Sequence, residues 1–140
     1  LLLVPYDHDL VAEKWPRLQH EVKVRKLGGV VYPYLMSEEM FPLLRHVDVY
    51  VRPTRTEGDA NSVREAMYLG TPVVASDCAA RPDGVVTFSS GDAEALAATV
   101  QEVLEHLPTY KARAGRFTVK DSSDLYLRLI DELCSGLEGD

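Results

Sequence analysis

An α/β fold built on a parallel sheet is what this sequence predicts, and three observations predict it. Short apolar runs alternate along the chain with segments of helical periodicity. Leu1–Val4 is continuously apolar, as a strand covered by helices on both faces must be. Gly70-Thr71-Pro72 separates a helix-like stretch from the β-branched pair Val73-Val74, the order that a right-handed crossover between parallel strands requires.

The elements follow in order. After the strand at 1–4, residues of about 9–20 read as a helix, with Asp9 as N-cap and Pro16 as a kink or end. Glu21–Leu27 alternates like a strand. Ser37-Glu38-Glu39 opens a short helix reaching about His46. Apolar residues crowd 47–51, and Pro53, which has no N–H to give a ladder, ends that strand just after Arg52. Ser62-x-x-Glu65 has the form of a capping box and opens a helix over 62–69, which Gly70 and Pro72 stop. Strands follow at 72–76 and 84–88. Gly91-Asp92 then caps a helix whose apolar face is Ala95, Leu96, Val100, Val103, Leu104 and Leu107. A final helix spans 121–134, with Leu125, Leu129, Ile130 and Leu133 inward, and no internal repeat or low-complexity tract is present. The whole reads as a Rossmann-like sheet flanked by helices.

Composition bounds the function. With 140 residues, 46% of them apolar, the chain can bury one core and reads as a single domain. A net charge of -7 argues against a general affinity for nucleic acid or anionic membranes. Cys78 and Cys134 lack metal-like spacing and read as reduced thiols of a cytoplasmic protein. His8, His20, His46 and His106 are scattered and read as surface residues. No apolar run is long enough to span a bilayer, and no basic-started signal peptide is seen.

Chemistry concentrates around Glu57 and Glu65, which seven residues separate. Glu57 falls on the loop beyond a strand's carboxyl end and Glu65 in the first turn of a helix, the edge at which open α/β sheets bind ligands. Amides at such a helix start can hold a phosphate, and a carboxylate on either side can accept from sugar and ribose hydroxyls. Taken singly, each residue has a plainer reading: Glu57 as an exposed loop acid and Glu65 as the second half of a cap with Ser62.

The stretch Pro53-Thr54, Glu57-Gly58, Glu65-Ala66-Met67, Gly70-Thr71-Pro72-Val73-Val74-Ala75-Ser76 and Gly91-Asp92 resembles the nucleotide-sugar-binding half of retaining, family-4 (group 1) glycosyltransferases of the GT-B architecture. Their pattern is a Pro-Ser strand end, Glu-Gly-Phe-Gly-Leu-Pro-x-x-Glu-Ala, Gly-x-Pro-Val-Val-Ala and a later Gly-Asp. Lys26-Leu27-Gly28 and Arg116-Phe117 extend the likeness over most of the chain. The resemblance implies a donor-binding domain that serves sugar transfer from a nucleoside diphosphate sugar with retention, without metal or other cofactor. It implies Glu57 at the donor sugar or reacting centre and Glu65 on the ribose. Gly58, Ala60, Asn61 and Ser62 would lie along the diphosphate, with Thr54 and Arg81 as further donor contacts.

It further implies that the first strand and helix of this domain, and an acceptor-binding domain before it, are missing. Residues 1–140 are therefore expected to be a fragment that is inactive alone and prone to self-association through exposed sheet edges. The location expected is the cytoplasm, free or at the inner face of the membrane. The chain departs from the family at Asp59-Ala60-Asn61-Ser62, where a loop glycine is absent and a carboxylate is added that would repel phosphate unless it turns to solvent or to Arg55 or Arg64.

Two other readings stay open. One is a nucleotide-binding or assembly domain of the same fold that has lost the reaction. The other is a metal-dependent nucleotide-sugar enzyme using Asp7 and Asp9, which flank His8 beyond the first strand and are suitable hard ligands for a divalent cation. Lys111, Arg113, Arg116 and Lys120 form a basic cluster that reads as a solvated face or as a contact for an anionic partner.

Overall fold

The computed structural model of the chain describes residues 2–3, 16–17, 20, 23–24, 30–31 and 37–119. They fall in two compact units, Leu1–Val47 and Asp48–Asp140. In the first, β1 (Leu2–Leu3) pairs in parallel with β2 (Val30–Val31), and α1 runs Ser37–His46. The expected helix from Ser37 to His46 is present, with His46 Nδ1 donating to the Pro42 carbonyl at 2.7 Å. Lys23 and Val24 are helical where alternation predicts a strand. That signal rested on Val22 and Val24 alone, set among Glu, Lys and Arg residues that favour helix. Pro16 is helical too, and helical residues follow it, so it does not end a helix.

The second unit carries a three-stranded parallel sheet of order β3-β4-β5: Tyr50–Arg52, Val73–Ser76 and Val86–Phe88. Tyr50 pairs with Val73 and Arg52 with Ala75, while Ser76 pairs with Phe88. All four β4 residues are buried, as a central strand covered on both faces requires. Helix α2 (Asn61–Tyr68) connects β3 to β4, and α3 (Ala93–Glu105) follows β5. Val74, Phe88 and Val103 form a core against which Ala95, Leu96 and Val100 pack.

Helix boundaries follow local chemistry. Gly70, at φ 79°, sits just past α2; its N–H bonds to the Met67 carbonyl at 2.9 Å and that of Thr71 to the Ala66 carbonyl at 2.9 Å, a Schellman motif. Asp92 caps α3 by accepting from the amides of Glu94 and Ala95 at 3.0 and 2.9 Å, as the sequence predicts. Gly84 has φ 105°, a backbone that favours glycine, and a Cβ there would come within 2.8 Å of Met67 Cε, where the turn before β5 packs on α2.

Three expectations are corrected. The capping box does not form: α2 begins at Asn61, Ala60 stands at the N-cap with no side-chain bond, and Ser62 lies inside the first turn. A residue inside the helix cannot cap it, and Ser62 Oγ instead accepts from the Tyr50 hydroxyl at 2.9 Å. Leu104 is 49% exposed, because from Leu96 it lies about 80° round the helix while Val100 and Val103 stay within about 40°. Residues after His106 form a further helix, α4 (Leu107–Ala114), with Pro108 in its first turn, where a missing N–H costs nothing. The helix expected at 121–134 lies outside the described residues, as do Asp7, His8, Asp9, Lys120 and Cys134. Among the described residues no helix is long and apolar enough to cross a membrane.

Candidate functional site

The carboxyl ends of β3 and β4 hold a linked set of polar side chains. Arg52 is the last residue of β3, and Pro53 turns the chain into the loop carrying Thr54 and Glu57. The Glu57 side chain is only 8% exposed. Its Oε1 accepts from Arg52 Nε at 2.8 Å and lies 2.7 Å from Arg52 NH2. Its Oε2 accepts from Thr54 Oγ1 and from Arg81 NH1, both at 2.9 Å. Burial alone would push this carboxyl up, but the hydrogen bonds from Arg52, Arg81 and Thr54 outweigh it and hold Glu57 below its ordinary value. Burial likewise opposes the charge on Arg52, and the bond to Glu57 with the field of Tyr50 and Glu57 reverses that, so Arg52 is raised.

Arg81 is the buried post of this set. Its side chain is 5% exposed, and Nε donates to the Ser76 carbonyl at 2.9 Å while NH1 holds Glu57. Ser76 ends β4 with no exposure at all; its hydroxyl donates to the Thr54 carbonyl, which ties the ends of β3 and β4 together, and lies 3.2 Å from Cys78 Sγ. Cys78 is a free thiol.

The start of α2 faces the same region of chain. With no side chain capping it, the amides of Asn61 and Ser62 have no partner among the described residues. Buried Ala60 and exposed Gly58 bring the backbone in, and a Cβ at Gly58 would meet nothing within 4 Å. Asp59 does not confront this helix start as a free charge: Arg64 grips it, Nε at 3.1 and 3.2 Å from its two oxygens and NH2 at 3.0 Å. Glu65 is half-buried, and its carboxylate makes no hydrogen bond or ion pair with any described residue.

The structure thus gathers Thr54, Glu57 and Arg81 into one cluster and places Gly58, Ala60, Asn61, Ser62 and Glu65 along the loop and first turns of α2. Sequence reasoning missed Arg52 and Tyr50. The available signal was the strand period of two, which puts both on one face of β3. The basic cluster divides: Lys111 lies 3.3 Å from Asp48, whereas Arg113 and Arg116 line a groove with Pro108, Thr109 and Ala112. Among the described residues no group of three or more His, Cys, Asp or Glu is placed to hold a metal ion.

The family model of the glycosyl transferases group 1 matches residues 6–106. The chain belongs to that family. Solved structures agree in fold. Sucrose-phosphate synthase from Thermosynechococcus elongatus superposes with a TM-score of 0.74 at 23% identity, over 97% of this chain and 39% of that one. HepE from Anabaena, in complex with UDP, superposes with a TM-score of 0.73 at 18% identity, over 96% of this chain and 40% of that one. The chain therefore spans about two fifths of the length of these structures. No curated protein matches it in sequence. As a group 1 glycosyltransferase chain with the α/β fold of GT-B enzymes, it presents the strand-end cluster and the uncapped helix in an established architectural setting.

Proposed function

We propose that this chain is the donor-binding domain of a retaining, metal-independent glycosyltransferase, taking a nucleoside diphosphate sugar at the carboxyl edge of β3 and β4. The observation that carries the reading is the uncapped start of α2, with Glu65 standing one turn in as an unpartnered, half-buried carboxylate. Free amides at a helix start, with the positive end of its dipole, suit a diphosphate and replace a cation there. A carboxylate with open lone pairs suits the two ribose hydroxyls. HepE, of the same fold, is described in complex with UDP, which supports a nucleoside diphosphate as ligand class.

Charge placement supports it further. The arginine grip on Asp59 removes the objection that an added acid would repel phosphate. Amides at the α2 start would stabilise the charge that develops on the leaving diphosphate as the glycosidic bond to it breaks. Acceptor binding and turnover belong, on this reading, to a further domain, and the chain alone transfers no sugar. The test is calorimetric titration of the purified chain with UDP, ADP, GDP and their sugar conjugates. Saturable binding of one nucleoside diphosphate over its free nucleoside supports a donor site, and absence of binding by all of them rejects it in favour of an assembly role for the fold.

A further inference from the structure

We propose that Arg81 is a positioning residue for the donor sugar: it holds the Glu57 carboxylate from its closed side, so that Glu57 meets a sugar hydroxyl while Arg81 itself touches no ligand. This rests on the donor-site reading above and adds to it the part of the ligand that Glu57 takes and the residue that aims it.

The Glu57 carboxylate has a closed side and an open one. On the closed side, Oε2 accepts from Arg81 NH1 and from Thr54 Oγ1. On the other, Oε1 faces Arg52, which is 29% exposed against 5% for Arg81. Arg52 meets solvent there, so it can share Oε1 with a ligand hydroxyl or give way to it, whereas a displaced Arg81 would be left buried and unpaired. Of the parts of a nucleoside diphosphate sugar, the phosphates are repelled by a carboxylate and the sugar offers it hydroxyl donors. Three residues separate Glu57 from Ala60 at the N-cap of α2, so the carboxylate stands close to the helix start proposed for the diphosphate, within reach of the sugar that the diphosphate carries.

Arg81 spends its donors on protein atoms. Nε donates to the Ser76 carbonyl, NH1 holds Glu57, and NH2 lies 3.5 Å from Ser76 Oγ and 3.6 Å from Cys78 Sγ. Ser76 ends the central strand and is fully buried, so the planar fork is fixed to the rigid part of the sheet and its NH1 points one way. The loop that carries Glu57 is neither helix nor strand and has no ladder of its own to fix the carboxylate. Its aim is borrowed from β4 through Arg81, the support that a ligand-touching side chain on a loop requires.

The test is calorimetry of the chain with UDP, ADP and GDP, each bare and as its glucose, galactose, mannose and N-acetylglucosamine conjugates. Arg81→Gln is expected to weaken the conjugate that the wild type binds about tenfold, as loss of a charge-assisted bond does, and to leave the bare diphosphate unchanged, which also shows that the variant is folded. Arg81→Lys keeps the charge and loses the fork, and is expected to recover part of that loss. Glu57→Gln is expected to reproduce the selective loss, and Arg81→Gln added to it to cost nothing more, because one residue acts through the other. If Arg81→Gln does not fold, Arg81→Lys carries the test, with a loss of several-fold expected for the conjugate alone. Undiminished conjugate affinity in the Arg81 variant overturns the proposal while leaving the donor site standing. An equal loss for bare diphosphate and conjugate overturns it too, since Arg81 would then serve the phosphates or the fold at large. So does a wild type that binds diphosphates but no conjugate, whereas a wild type that binds none of these ligands removes the donor site itself.

Discussion

Arg81 NH1 and Glu57 Oε2 lie 2.9 Å apart with both side chains less than a tenth exposed, and this pair joins the loop after β3 to the loop after β4. Breaking a buried pair by removing one partner strands the other charge, at a cost of about 3–5 kcal/mol. Glu57→Ala strands Arg81 in this way, whereas Arg52→Ala leaves Glu57 still bonded to Arg81 and Thr54. Chemical denaturation should therefore rank Glu57→Ala well above Arg52→Ala in loss of stability; equal losses would mean that Arg81 finds solvent without Glu57.

The same pair gives a pH dependence with a definite sign. Glu57 is held below its ordinary value, so in the acid range the unfolded chain binds more protons than the folded one. The stability it contributes is complete above the ordinary glutamate value of about 4.3 and is lost as pH falls through the lower folded value. Melting curves of the wild type and Glu57→Gln should differ at neutral pH and converge in acid. A difference that stays constant from pH 7 to pH 3 would show that ionisation of Glu57 is not the source.

Gly84 and Gly70 both have positive φ, but only Gly84 faces an atom, Met67 Cε, at 2.8 Å from an added Cβ. Gly70→Ala should cost about 1–2 kcal/mol, the penalty of a left-handed backbone. Gly84→Ala should cost more, since a packed, buried methionine must also move. Denaturation of the two variants, with Met67→Ala added to Gly84→Ala as a partial rescue, checks the order.

Much of this was legible beforehand. The order from β3 through the Glu57 loop and α2 to β4 was readable because its punctuation is local: Pro53, Gly70 with its Schellman bonds, and the Asp92 cap each act within a few residues. The partnership of Glu57 with Arg81 was not, since 24 residues separate them and only folding of two loops side by side creates it. Ser62 shows the same limit from the other side. The helix begins at Asn61, so Ser62 is no cap, and its hydroxyl meets Tyr50, twelve residues away, a contact that no spacing rule encodes. The α4 helix was missed although Pro108 marks its first turn.

Arg64 offers a cheaper probe of the proposed diphosphate site. The exposed pair with Asp59 should contribute at most about 1 kcal/mol to stability. Yet Arg64→Ala would release Asp59 near the start of α2 and should weaken nucleoside diphosphate binding several-fold, and Asp59→Ala added to it should restore affinity. Affinity indifferent to both would place the phosphates elsewhere.

The most direct measurement concerns Glu65, whose carboxylate has no described partner and whose removal should leave the melting temperature unchanged. Calorimetry would compare a nucleoside diphosphate with its 2′,3′-dideoxy analogue on the wild type and on Glu65→Ala. The donor-site account predicts that Glu65→Ala weakens the natural ligand about tenfold, and that the variant no longer distinguishes it from the dideoxy analogue. Wild-type and Glu65→Ala chains that bind both ligands with equal strength would contradict it.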